Sequence, residues 1–326
     1  VSFLAVCESR QVLKNQRINM IGPYLQNKFG GKTVKLALDG GFTCPNRDGS
    51  KGTGGCIFCS GEGSGELASD IPSQITLLSK KWPSADKYIA YFQSHTNTYA
   101  PVSVLREKFY GALEYPGVVG LAAATRPDCL NDDVLDLLSE LNKKTFLWVE
   151  LGLQSIFDDT ARLINRCCPL SVYDNAVLKL NQRGIRIVTH LILGLPGETK
   201  YDMERSVRYV TTPNNELSAL RGKGSLLSEP PVFGLKLHLM NVVKDTRLAE
   251  MFPGYEPFGS IEEYVGLVCD LLEIIPYDVT IHRLTGDVPR SLLLTPEWSY
   301  RKRTILNGIA HEMAARDTVQ GCALGQ

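Results

Sequence analysis

An α/β protein whose parallel strands close into a full or partial barrel is the fold this sequence predicts, on three observations. Strand-like and helix-like segments alternate along most of the chain, and βαβ units of that kind make parallel sheets. The run 118–124 is small and apolar throughout, as expected of a strand covered on both faces. The first strand is followed by a glycine-rich cysteine loop, where a doubly wound sheet would carry a dinucleotide fingerprint.

Residues 34–39, with Val34, Leu36 and Leu38 apolar, read as the first strand and lead into that loop. A helix follows at 71–81, a strand at 88–93, a helix at 102–113 and the strand at 118–124. The segment 131–142 sets Val134, Leu137, Leu138 and Leu141 on one helical face, and 146–153 is the next strand. At 171–182, Ser171 and Asp174 form a capping-box pattern and Gly184 marks the stop. A strand at 185–193 and a helix at 201–210 come next; 213–231, rich in Asn, Gly, Ser and Pro, reads as a surface insertion. The strand pattern resumes at 232–240. Ser260 with Glu263 caps a helix bearing Tyr264, Val268, Leu271 and Ile275, ahead of a last strand at 279–284 and a last helix at 300–315. Six or seven such units suit a barrel, and barrels keep their chemistry at the carboxyl ends of the strands. The organisation read from this is an N-terminal extension at 1–19, a barrel at 20–290 and a helical extension at 291–326.

Composition narrows the class. The 326 residues are 44% hydrophobic and 21% charged, ordinary for a globular chain. Lys plus Arg equals Asp plus Glu at 35 each, so no whole-chain field points to nucleic acid or membrane, although a local basic groove stays open. Nine cysteines are too sparse for a secreted disulfide scaffold, and a reducing, cytoplasmic setting is expected. No run of eighteen apolar residues occurs, so no membrane helix is expected. Residues 1–19 hold Arg10, Lys14 and Arg17 against Glu8, which leaves an organelle-targeting role for that stretch open.

Cys44, Cys56 and Cys59 share one loop, with eleven residues between the first two and two between the last two. A Cys-x-x-Cys pair brings two thiolates to one centre and Cys44 adds a third. From spacing, both an iron–sulfur cluster with one open iron and a zinc site completed by a distant histidine stand.

Gly40-Gly-Phe-Thr-Cys-Pro-Asn-Arg-Asp-Gly49 and Gly54-Gly-Cys-Ile-Phe-Cys59 carry a specific resemblance. On them the chain resembles radical S-adenosylmethionine (SAM) enzymes and, within those, the YhcC/YtqA-like proteins related to the catalytic subunit of elongator. The likeness runs from about Met20 to Val319-Gln-Gly-Cys-Ala-Leu-Gly325, leaving out the insertion and the first nineteen residues. It implies a partial (β/α)6-type TIM-like barrel with parallel strands and a C-terminal extension. It also implies that Cys44, Cys56 and Cys59 bind three irons of a 4Fe–4S cluster, the fourth iron being left to SAM. An electron from a flavodoxin- or ferredoxin-type donor would then cleave SAM to methionine and a hydrogen-abstracting 5′-deoxyadenosyl radical.

The same resemblance assigns cofactor contacts one at a time. Phe58 would shield the cluster or stack near the adenine, and Gln93 would lie near the SAM amino group. Gln154 would contact SAM, Arg166 would pair with its carboxylate, and His190 would meet the ribose beside the signature containing Gly194 and Pro196. Thr125-Arg-Pro-Asp128 matches an elongator-like signature, but Ala124 stands where that group commonly has glutamate. Cys167-Cys168-Pro169 replaces the glycine and histidine of relatives and reads as structural.

Two readings come from the residues themselves. Glu150 inside a barrel needs a cofactor or an internal basic partner. Lys236, His238, His282 and Arg283, near the last strand ends, are the candidate catalytic and substrate-contacting residues; the competing reading makes them a salt-bridge network with Glu150. The function expected is a radical SAM enzyme, with a tRNA base as the substrate suggested by kinship to elongator. A small-molecule or protein substrate is the alternative, and so is a non-catalytic zinc- or cluster-binding interaction protein.

Overall fold

The structure, a computed structural model, describes residues 16–63, 65–212 and 230–324. Most of the expected N-terminal extension and of the insertion at 213–231 therefore lies outside the described residues.

Seven parallel strands pair in the order β1 (Thr33–Leu38), β2 (Lys87–Phe92), β3 (Val118–Thr125), β4 (Phe146–Gln154), β5 (Arg186–Leu193), β6 (Gly234–Leu239) and β8 (Thr280–Arg283). A separate two-stranded ribbon pairs β7 (Val242–Val243) with β9 (Leu293–Thr295). The sheet is curled. Lys236 Nζ on β6 donates to the Tyr91 hydroxyl on β2 at 2.9 Å. In a flat sheet, strands four places apart would lie about 19 Å from each other. The edge strands β1 and β8 do not pair, so the barrel is partial.

Helix α1 (Ile21–Phe29) touches both edge strands and plugs the inner face. Its Ile21 and Leu25 are buried with Ile89, Tyr91, Phe146 and Trp148. Just before it, the Ile281 amide donates to the Asn19 carbonyl at 2.8 Å. Arg17 Nη1 donates to the Thr318 carbonyl, also at 2.8 Å. Residues 16–19 are thus stitched to the last strand and to the far end of the chain.

Further helices are α2 (Ile71–Lys81), α3 (Val102–Leu113), α4 (Asp132–Lys144), α5 (Asp158–Leu163), α6 (Leu170–Gln182), α7 (Lys200–Thr211), α8 (Arg247–Met251), α9 (Ile261–Glu273) and α10 (Lys302–Ala315). Local chemistry explains their ends. Asn131 caps α4 through the Val134 amide at 2.9 Å, with Asp132 and Asp133 in the first turn and Lys143 and Lys144 in the last, complementing the helix dipole. Ser260 caps α9 through the Glu263 amide at 3.1 Å, as the sequence predicts. Its Tyr264, Val268 and Leu271 are fully buried, each such side chain contributing about 1.5–3 kcal/mol.

Some expectations fail. Helix α6 has Pro169, not a Ser171 box, at its N-cap, and Asp174 instead accepts from the Tyr209 hydroxyl at 2.9 Å. A 3₁₀ turn at Glu297–Tyr300 precedes α10, which starts only at Lys302. Among the described residues no helix is long and apolar enough to cross a membrane.

Candidate active site

The cysteine loop and the carboxyl ends of the strands enclose a cavity of about 250 Å³. Of the residues singled out from the sequence, Cys44, Cys56, Cys59, Phe58, Gln93, Glu150, Gln154, Arg166, His190, Lys236, His238 and Arg283 line it. Gly194, Pro196 and His282 do not.

The loop is held by its own backbone and by two asparagines. Gly54 and Gly55 both take φ of +75°, where a side chain would be strained, and the turn they make lets the Gly55 amide donate to the Asn46 carbonyl at 2.8 Å. Buried Asn46 donates through Nδ2 to the Asn165 carbonyl at 2.6 Å and lies 3.7 Å from Cys56 Sγ. Asn165 returns Nδ2 to the Gly55 carbonyl at 2.8 Å. Arg47 donates to the carbonyls of Cys59 and Ser60, fixing the Cys-x-x-Cys turn. Burial and the neighbouring Cys59 push the Cys56 thiol up to about 12, against the pull of Arg166 and Arg126. Burial likewise raises Cys59, against Arg47.

Two arginines face this loop. The Arg126 guanidinium chelates Asp128 through Nε and Nη2, both at 2.9 Å, and its Nη1 donates to the Arg166 carbonyl at 3.0 Å. Asp128 is thus a fixed partner of Arg126. Arg166 donates Nε to Gln154 Oε1 at 2.7 Å, Nη1 to the Cys168 carbonyl at 3.0 Å and Nη2 to the Gly152 carbonyl. It is 3% exposed and has no carboxylate partner among the described residues. A β-bulge on β4 between Gly152 and Gln154, with Gln154 at φ +67°, turns this glutamine toward the guanidinium.

The cavity floor is a charge network. Glu150, 0% exposed, accepts from Lys236, from Trp148 Nε1 at 2.9 Å and from His190 Nε2 at 2.8 Å. Burial alone would raise its carboxyl, yet Lys236, His190 and Lys35 hold it well below the usual range. Burial, with Lys236 nearby, lowers His190 to about 4 in spite of Glu150. Burial also depresses Lys236, partly offset by Glu150 and reinforced by Lys35 and Arg283. The network reading of Lys236 and Glu150 is therefore the one the geometry matches, although both still line the cavity.

The adjoining wall, where the His238 ring lies 5.1 Å from that of His190, is different. His238 Nε2 is buried with no hydrogen-bond partner, and so is Oδ1 of Asn241, a residue only 6% exposed. Burial, His190 and Arg283 keep the His238 imidazole neutral. Asn241 packs beside Gly286, where an added Cβ would lie 2.0 Å from Asn241 Nδ2.

Three sequence expectations need correction. His282 sits below the cavity, its ring 5.5 Å from Trp148 and 5.7 Å from Phe233, with Nε2 on Thr280 at 3.0 Å. The β6–β8 register shift sets Arg283, not His282, opposite Lys236. Gly194 serves packing: a Cβ there would lie 2.7 Å from Phe258 and Pro257, and the Tyr255 hydroxyl caps its carbonyl at 3.1 Å. Pro196 belongs to the same turn. Sequence reasoning missed Asn46, Asn165, Asn241 and Lys35. Asn46, in a glycine-rich loop, reads as an ordinary turn residue, and nothing in the sequence set Asn165, Asn241 or Lys35 apart from their neighbours.

Among the described residues no three His, Cys, Asp or Glu side chains converge to hold a single metal ion. The three thiols line one cavity from separate loop positions, which suits a multi-iron cluster bound through separate irons.

Comparison with known proteins agrees with this geometry. A family model described as the radical SAM superfamily matches residues 47–210, and one described as the radical SAM C-terminal domain matches 232–315. YtqA of Bacillus subtilis is 44% identical over 94% of this chain and 92% of its own length. YhcC of Escherichia coli K12 is 34% identical over 95% of this chain and 96% of its own length. A tRNA uridine(34) acetyltransferase of Dehalococcoides mccartyi is 28% identical over 52% of this chain and 34% of its own length. The solved archaeal Elp3 of Methanocaldococcus infernus superposes with a TM-score of 0.63 at 17% identity, covering 88% of this chain and 64% of that one, which supports the fold.

Proposed function

We propose, from the premise that this chain belongs to the radical SAM superfamily as a YhcC/YtqA-like relative of elongator's catalytic subunit, that it is a radical SAM enzyme. A 4Fe–4S cluster and SAM, when bound, supply a 5′-deoxyadenosyl radical for hydrogen abstraction. Cys44, Cys56 and Cys59 would hold the cluster. Arg166, oriented by Gln154 and by backbone carbonyls, offers a buried cation to the SAM carboxylate, and a guanidinium fork suits that group. Gln93 and His190 would flank the rest of SAM, and Phe58 would exclude water from the cluster side. Arg126 and Asp128 brace the Arg166 backbone so that its side chain keeps its aim.

The observation that carries this reading is the meeting, on one cavity at the strand ends, of three loop thiols and buried Arg166, which has no carboxylate partner among the described residues. Anaerobic purification tests it. Brown protein with about four irons per chain, forming 5′-deoxyadenosine with dithionite and SAM, is expected. Colourless protein with stoichiometric zinc overturns it in favour of a non-catalytic interaction protein.

For the substrate, a tRNA base such as uridine 34 is the reading supported by the relative bearing that name. A small molecule or protein is the alternative. Mass spectrometry of tRNA nucleosides from cells lacking the protein decides: a missing modification supports tRNA, and an unchanged profile removes it. A flavodoxin- or ferredoxin-type donor and a cytoplasmic setting complete the proposal.

A further inference from the structure

We infer that the wall built from the end of β6 and the loop after β8 is a nucleotide-reading subsite. Asn241 takes the hydrogen-bonding edge of a base, and Arg290, Tyr300 and Arg301 take the flanking strand. This rests on the tRNA reading above and names where that substrate is read.

The first observation is the incompleteness of the wall. Asn241 is 6% exposed and lines the cavity, and its buried Oδ1 has no hydrogen-bond partner among the described residues. Leaving such a buried group unpaired costs about 1–3 kcal/mol. Close by, His238 Nε2 is equally unpaired. Gly286 leaves room for the asparagine only because it lacks a Cβ. An amide presents one donor side and one acceptor side in a plane, which matches the paired donor and acceptor on the edge of a base. An enzyme acting on a base reads it in this way once the base leaves its stack.

The second observation is independent and lies just outside. Arg283 and Asp287 line the cavity, and Asp287 pairs with both Arg283 and Lys302. Next to Lys302, Arg290 stacks on the Tyr300 ring at 4.3 Å and Arg301 approaches the same ring at 5.7 Å. Arg283, Arg290, Arg301 and Lys302 stand here against Asp287 and Glu297, so among these residues cations outnumber acids. An aromatic ring between guanidinium groups is the combination that binds a single-stranded nucleic acid by stacking and phosphate contact. Asp287, which lines the cavity beside Gly286 and binds Lys302, ties this rim to the wall that holds Asn241.

The test uses the full chain with its cluster and SAM but no reductant, so that nothing turns over. The probes are a 17-nucleotide RNA hairpin with one unpaired loop uridine and the same hairpin carrying 3-methyluridine, which has lost the N3 donor. Wild type is expected to bind the methylated hairpin at least tenfold more weakly. Asn241→Ala should bind the unmodified hairpin at least tenfold more weakly and lose nothing further on methylation, since both changes remove one contact. Arg290→Gln with Arg301→Gln should weaken both hairpins equally and flatten the salt dependence while keeping the discrimination. Iron content checks folding, with Asn241→Ser as the second variant. Additive losses overturn the inference. So does an Asn241→Ala protein that binds RNA normally but SAM poorly, which would assign the amide to the adenine of SAM. If wild type binds both hairpins alike and Asn241→Ala binds as wild type does, only this inference falls; if wild type binds neither hairpin, the tRNA reading falls with it.

Discussion

Two polar surfaces face the same cavity and have opposite status. On the floor, every hydrogen-bonding neighbour of Glu150 is supplied from within: Lys236 from β6, His190 from β5 and Trp148 from β4 itself. On the wall, His238 Nε2 and Asn241 Oδ1 are buried with no hydrogen-bond partner among the described residues. The difference teaches where structure ends and function begins. A satisfied buried ion network specifies the curl of the sheet, because its members come from strands that only a curled sheet brings together. An unsatisfied wall is stable only if its deficit is small or if a ligand makes it good. Floor variants should therefore damage the fold and mouth variants should damage ligand binding.

The largest expected effect lies at the mouth. Cys56→Ala should lose the cluster iron completely while its far-ultraviolet circular dichroism and urea midpoint stay near those of iron-free wild type. Retained iron would refute the ligand assignment, and a collapsed fold would break the division between mouth and floor.

Next comes the floor. Glu150→Ala strands Lys236 as an uncompensated buried ammonium and should cost about 3–5 kcal/mol in urea unfolding. Replacing both partners, Glu150→Leu with Lys236→Met, should recover most of that loss, since apolar pairs often substitute for buried ion pairs without penalty. A double variant as unstable as the single one would show that the network does more than neutralise itself.

The floor also sets a pH dependence. His190 faces Glu150, Lys236, Arg283 and His238, and its imidazole protonates only at about 4. An unfolded histidine takes its proton near 6.5, so between those values the unfolded chain binds more protons and stability rises with pH. Acidification through that window should remove about 3 kcal/mol through this group, the loss being complete near the lower value. Glu150 adds to it only at lower pH, because its carboxyl is held well below the usual range and its contribution is lost as pH falls through that depressed value. His190→Gln should flatten the upper part of the profile in urea titrations at stepped pH. An unchanged slope would mean that the imidazole is not held neutral.

How much of this was legible in the sequence follows from the range of the interactions involved. Asn131 and Ser260 act on amides three residues away, so their caps were readable. The Ser171 box failed because Tyr209, from another helix, claims Asp174. Helix α1 went unread because Gly22 and Pro23 look like a break, although proline is tolerated in a first turn. The need of Glu150 for a basic partner followed from desolvation alone. His282 was misplaced because a strand bulge, set by packing between β6 and β8, alters which neighbour faces inward. Asn241 carries no signature: its meaning lies wholly in what surrounds it.

The smallest effect is the sharpest probe of the contrast between floor and wall. If the Asn241 amide is unpaired in the substrate-free protein, Asn241→Ala removes a buried polar group without breaking a bond. The loss of its few packing contacts and the relief of that burial should nearly cancel, leaving the urea unfolding free energy within about 1 kcal/mol of wild type. Glu150→Ala, truncating a buried side chain that lines the same cavity, should lose several times as much. A loss of 2 kcal/mol or more at Asn241, on the order of a broken buried hydrogen bond, would show that the wall is as complete as the floor. The amide would then be a structural group, and the case for a ligand that reads it would fall.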